Sequence, residues 1–131
     1  MHKNLQPKGW KKASGYANGV LAKGTMIFTG GQIGWNADQQ FESDDFVAQL
    51  EQCLENIAAI LAEAGAGPQH LVRLTWFVTD REEYKSNLAE IGKAYRKVLG
   101  RNFPAMSVVE VSSLIEDRAK IEIEATAVLP D

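Results

Sequence analysis

The chain has 131 residues, of which 45% are hydrophobic and 24% charged, with a net charge of −3 and a single cysteine. That size and balance predict one domain over residues 1–131, large enough to bury a core. An acidic balance disfavours nucleic acid as a partner, the absence of any apolar run near ~18 residues disfavours a membrane, and a lone cysteine forms no internal disulfide.

The amino terminus has no apolar segment of the signal-peptide kind, so a cytoplasmic protein is expected. Residues 1–15 lack periodicity and contain Pro7, Gly9 and Gly15. They read as an irregular lead-in, with Trp10 tucked into a surface groove. Residues 16–21 and 25–29 read as a β-hairpin whose Gly24 takes a positive φ. The second of these strands runs into Gly30-Gly31-Gln32-Ile33-Gly34, three glycines in five positions. Such density implies a bulge or a close approach to the backbone. The spacing is neither G-x-G-x-x-G nor a P-loop, which rejects a nucleotide-phosphate loop and leaves a tight strand exit or a ligand-facing backbone.

Ser43-Asp44-Asp45 offers N-cap and dipole partners to a helix in which Phe46, Val47, Leu50, Leu54, Ile57 and Leu61 form one apolar stripe. Cys53, at the edge of that stripe with no basic neighbour close in sequence, reads as packing rather than as a nucleophile. Gly65-Ala66-Gly67-Pro68 stops the helix.

Residues 71–79 form a strand with Val72, Leu74, Trp76 and Val78 on one side and Arg73, Thr75 and Phe77 on the other. Arg73 is out of place there unless a carboxylate or a subunit boundary receives it. Asp80 caps a second helix with Glu83 completing a capping box, and Tyr84, Leu88, Ile91, Tyr95 and Val98 make its stripe up to Gly100.

Residues 103–111 and 120–128 alternate with period two and read as two strands, close enough in sequence for an antiparallel pair. In the second, Glu122 and Glu124 share one face, while Ile121, Ile123, Ala125 and Ala127 share the other. A row of solvated carboxylates is the plain reading of that pattern. His2 and His70 read as surface residues.

The order β-β-α-β-α-β-β places both helices on one face of a mixed sheet, because crossovers to parallel strands are right-handed. The open face would then show Trp76 or Phe77 to water. Self-association through it is expected, with sites in the clefts so formed.

Four stretches carry a family resemblance: Phe-Thr-Gly-Gly-Gln-Ile-Gly at 28–34, Glu-Asn-Ile-Ala-Ala-Ile-Leu-Ala-Glu-Ala-Gly at 55–65, Phe-Pro-Ala-Met-Ser-Val-Val-Glu-Val at 103–111 and Ile-Glu-Ile-Glu-Ala at 121–125. In matching order from Tyr16 to Val128, the chain resembles the RidA/YjgF family of reactive-intermediate imine/enamine deaminases, also labelled endoribonuclease L-PSP. The resemblance implies an α+β, chorismate-mutase-like fold, a homotrimer with small-molecule sites in its inter-subunit clefts, and hydrolysis of enamines or imines to keto acids and ammonia with no metal or cofactor. Carried over by position, Tyr16 is the pocket tyrosine, Gly31 a backbone contact to substrate and Glu122 the group that orients water.

The chain departs from the family where its deaminases read Pro-Ala-Arg-Ser, the arginine gripping the substrate carboxylate. Here the residue is Met106, and a thioether does not replace a guanidinium fork. Val108 stands where cysteine is common, and the pocket asparagine has no clean match, Asn87 being out of register. The chain therefore looks like an arginine-lacking branch acting on an atypical substrate, with Arg73 or Arg118 as substitute anion anchors; for Arg118 a solvated loop charge is the plainer reading. The alternative is a non-catalytic ligand-binding trimer. Ribonuclease action is disfavoured by the acidic charge and by the lack of a histidine pair or metal cluster.

Overall fold

The computed structural model describes residues 2–131. Strand β1 is Lys3–Leu5, β2 Gly19–Leu21, β3 Thr25–Phe28 and β4 Gln32–Ile33; helix α1 is Phe46–Glu63; β5 is Leu71–Val78; helices α2 and α3 are Arg81–Ser86 and Leu88–Leu99; β6 is Ala105–Glu110 and β7 Ile121–Leu129. Among the described residues the main sheet has five strands: β3, β7, β5 and β6 in that order, with β4 also paired to β7. The long helices pack on one face, as expected of this α+β fold, and the core lies between them and the sheet.

Strand β7 is the middle of the molecule because its inner face, Ile121, Ile123, Ala125 and Ala127, is almost wholly buried. This corrects the expected pairing of the last two strands. They run in opposite directions, but β5 lies between them, antiparallel to β7 and parallel to β6. A strand that buries one complete face seeks two neighbours, whereas β6, whose last four residues are exposed, suits an edge. The connection between them has only to cross the width of one strand, ~10 Å for two inter-strand steps.

The expected amino-terminal hairpin is also absent. Strand β2 pairs with β1 in a separate two-stranded ribbon, while β3 pairs with β7. Gly24 has the predicted positive φ, 146°, yet serves a corner where its backbone lies against the Leu129 carbonyl; a Cβ there would fall 2.9 Å from the Leu129 carbonyl carbon. The lead-in contains a strand, and Trp10 is 62% exposed rather than tucked away.

Helix α1 begins as its sequence demands. The Asp45 carboxylate accepts from the Ala48 amide at 2.9 Å, and the Ser43 hydroxyl accepts from the Asp45 amide. Its buried stripe includes Gln49 and Cys53 and leaves Val47 only partly covered. Gln49 ties three segments together. Its amide nitrogen donates to the Ser43 and Arg118 carbonyls at 3.1 and 3.0 Å, and its oxygen accepts from the Lys120 amide at 2.9 Å.

Two local irregularities shift the expected faces. A register break between Leu71 and Arg73 puts Leu71, not Val72, in the core beside Leu74, Trp76 and Val78. The second helix is broken at Asn87, whose side-chain amide donates to the Glu83 carbonyl at 2.6 Å and ends α2. Asp80 caps α2 through the Glu82 and Glu83 amides, but the Glu83 carboxylate meets Lys120 instead of closing a capping box.

The open sheet face carries Met26, Phe28 and Val109, each more than 40% exposed, together with Phe77. Trp76 is on the other face, 3% exposed.

Candidate functional site

The residues singled out from the sequence fall into two groups on opposite faces of the sheet. The first is a groove of about 710 Å³ at the β6 edge, on the helix side, and it brings together Tyr16, Met106 and Val108. Register explains the company: Met106 lies opposite Leu74 and Val108 opposite Trp76, so both point to the face that the helices cover. Tyr16 arrives because the next residue, Ala17, continues the sheet edge, its amide donating to the Pro104 carbonyl at 2.9 Å.

The groove's wall is aromatic. Trp76 stacks on Tyr95 with ring centroids 6.3 Å apart, Tyr95 on Phe103 at 5.2 Å, and Tyr84 meets Trp76 edge-on at 6.3 Å. The Tyr95 hydroxyl donates to the Asn102 carbonyl, fixing the wall to the entry of β6. Burial pushes the Tyr95 and Tyr84 phenols above their ordinary range. Leu88, 57% exposed, lines the rim.

Two cations that sequence reasoning missed border the same groove, Arg96 and Arg101. Arg96 lies across Gly92, one turn earlier on α3; a Cβ on Gly92 would come 3.0 Å from an Arg96 terminal nitrogen. The signal in the sequence was a glycine four residues before an arginine in a helix interior, where glycine is otherwise unfavourable.

The second group is on the open face. Glu122 lies opposite Phe77 on β5 and Ile33 on β4, half-buried, and its carboxylate lies against the Cα of Gly31. The expected close approach to the glycine-rich stretch is thus made by this side chain. Gly34 meets a second approach, from Gln49, whose Cβ would be 2.6 Å from a Cβ at position 34. Behind the sheet, burial first and the Glu122 charge second push the Cys53 thiol far above its ordinary range. Cys53 is fully buried and is held protonated.

The two proposed substitute anchors lie elsewhere. Arg118 has its Nε on the Asp44 carboxylate at 2.9 Å and its guanidinium over the Phe41 ring at 5.4 Å. Arg73 is on the open face, in a small hollow with Phe28, Thr75 and Glu124. Neither borders the Met106 groove.

Within one chain, then, the groove and the Glu122 carboxylate are two strands apart and face opposite ways. The first has an apolar wall and cations, the second a carboxylate set against a glycine Cα.

Comparison with known proteins follows the same lines. The family model described as Endoribonuclease L-PSP matches residues 8–129. The 2-iminobutanoate/2-iminopropanoate deaminase of Escherichia coli K12 is 40% identical over 113 residues, covering 86% of this chain and 86% of its own. A Yersinia pestis member of the Rid protein family, YyfB, of unknown function, superposes with a TM-score of 0.87 at 31% identity over 98% of both chains. Escherichia coli TdcF, solved with bound serine, superposes at 0.69 with 31% identity, covering 97% of this chain and 98% of its own. The chain belongs to the RidA/YjgF, or Endoribonuclease L-PSP, family.

Proposed function

We propose that this protein is a cofactor-independent imine/enamine deaminase acting on an atypical substrate, with its sites completed between copies of a homotrimer. The observation that carries the reading is the seat of Glu122. A half-buried carboxylate set against a glycine Cα on the open face of the sheet puts a general base beside a stretch of backbone with no side chain, the kind of group that addition of water to a C=N bond requires. The separation of the two half-sites supports assembly, because a second copy laid on the open face would bring its groove to the first copy's Glu122 while covering Met26, Phe28 and Val109.

In the step so proposed, Glu122 takes a proton from water as the oxygen bonds to the imine carbon and passes it to the nitrogen, giving a carbinolamine and restoring the carboxylate. The carboxylate then moves the hydroxyl proton to the amino group as the carbon–nitrogen bond breaks, releasing ammonia and leaving a carbonyl. One water is consumed and nothing is oxidised or reduced. Tyr16 and Gly31 would position the substrate, and Met106 and Val108 would receive its apolar part.

The replacement of the carboxylate-gripping arginine by Met106 favours a second reading, a trimer that holds a small ligand without turning it over. Ammonia release from a panel of imines generated in solution separates the two. Turnover that falls about 100-fold or more in Glu122→Gln supports the deaminase. No turnover of any panel member, or turnover indifferent to Glu122→Gln, contradicts it.

A further inference from the structure

The Met106 groove departs from the rest of the surface in one respect. On a protein of net charge −3, its only charged lining residues are Arg96 and Arg101, with no carboxylate among them. Among the described residues neither arginine takes part in an ion pair, although Arg81 and Arg118 do. Two exposed guanidiniums that border one hollow with no carboxylate in its lining are placed to receive an anion from outside.

A second observation points the same way. Trp76 is 3% exposed and lines the groove, yet its indole N–H has no acceptor among the described residues. A buried donor left unpaired is costly, and few are found in folded proteins. The Trp76 ring is part of the groove wall, so its indole N–H reports on what occupies the groove.

From these we infer that the anchoring cation of this site has moved from the sheet to helix α3 and the turn after it. Arg96 and Arg101 hold the carboxylate of the substrate, and the aromatic wall with Met106 and Val108 holds an aromatic or large apolar side chain. The substrate class is an aromatic 2-imino acid, larger than the products of serine or threonine deamination. Gly92 is part of the device, since it leaves the space across which the Arg96 guanidinium lies. The identity of the substrate as an imine rests on the deaminase reading above; the anion site itself does not.

The test is a binding titration of the full chain with phenylpyruvate, the product analogue of that class, followed by the three tryptophan indole N–H signals in proton–nitrogen correlation spectra, the Trp76 signal being assigned with Trp76→Phe. Binding should shift the Trp76 signal. The methyl ester of phenylpyruvate, which lacks the charge, should bind at least about ten-fold more weakly, as should pyruvate, which lacks the ring. Arg96→Gln and Arg101→Gln should each weaken phenylpyruvate about ten-fold and erase the preference for acid over ester, with circular dichroism unchanged. Equal affinity for acid and ester, or unchanged binding in both arginine variants, overturns the inference. Its failure is separable from failure of the deaminase reading. Charge-selective binding without any ammonia release sinks only the latter, and Glu122-dependent turnover indifferent to both arginines sinks only the former.

Discussion

The Glu122 carboxylate occupies the space in which a side chain on residue 31 would stand: a Cβ built on Gly31 falls 2.8 Å from its carboxyl carbon and 3.1 Å from its Cγ. Gly31→Ala must therefore displace the carboxylate. Because the displaced group is the end of a flexible side chain, stability should fall by about 1–2 kcal/mol or less. Turnover should fall at least about ten-fold, since a base moved by an ångström no longer meets its water. Ammonia release and urea unfolding, measured together, check this; wild-type turnover in a folded Gly31→Ala protein would contradict it.

Gln49 is 1% exposed and serves the Ser43 and Arg118 carbonyls and the Lys120 amide. Gln49→Leu keeps the volume but leaves all three groups without that partner. Urea denaturation should show a loss of about 3 kcal/mol or more, larger than any surface substitution gives. A loss under about 1 kcal/mol would mean that the loops bordering α1 are held by something else.

Burial raises the phenol of Tyr95 from an ordinary 10.0 and the thiol of Cys53 from 9.0. For both, the folded pKa lies above the unfolded one. The stabilising contribution is complete below the unfolded values and is lost as pH climbs, because the unfolded chain releases its protons first. Denaturant midpoints should be insensitive to these groups below pH 9 and should fall above it. Tyr95→Phe, which loses the hydrogen bond to the Asn102 carbonyl, should be about 1–2 kcal/mol less stable at neutral pH yet decline less steeply in alkali. An alkaline limb as steep as the wild type's would rule Tyr95 out as its source.

Met106 faces the groove that Arg96 and Arg101 border. Met106→Arg would add a guanidinium at the position where the family resemblance implies one, nearer the sheet. It should raise ammonia release from 2-aminoacrylate at least about ten-fold over wild type, while Arg118→Ala should change neither turnover nor stability by more than about 1 kcal/mol, its head group being spent on Asp44 and Phe41. A folded Met106→Arg protein with no gain would show that the groove differs from the family's by more than one residue.

What was legible in the sequence is what periodicity encodes. The α1 stripe, the opposed faces of β7 and the glycine-rich approach at 30–34 are local patterns, and each holds. Strand partners were not legible in the same way: β6 and β7 alternate alike, and only the completeness of β7's buried face decides which is central. The site was half visible for a related reason. Tyr16, Met106 and Val108 converge as motif positions, whereas Arg96 and Arg101 belong to no motif. Only packing places them at the groove.

In the proposed trimer one copy's groove works with another copy's Glu122. This is tested by mixing two variants, each disabled in one half: Glu122→Gln, and Gly92→Trp, whose bulk fills the groove. Each alone should be inactive on whatever imine the wild type turns over. After joint unfolding and refolding in equal amounts, random assortment puts an intact groove beside an intact Glu122 in about one cleft in four, so activity should return to about a quarter of the wild-type value. A refolded mixture that stays as inactive as its parents would place both halves in a single chain and contradict the account.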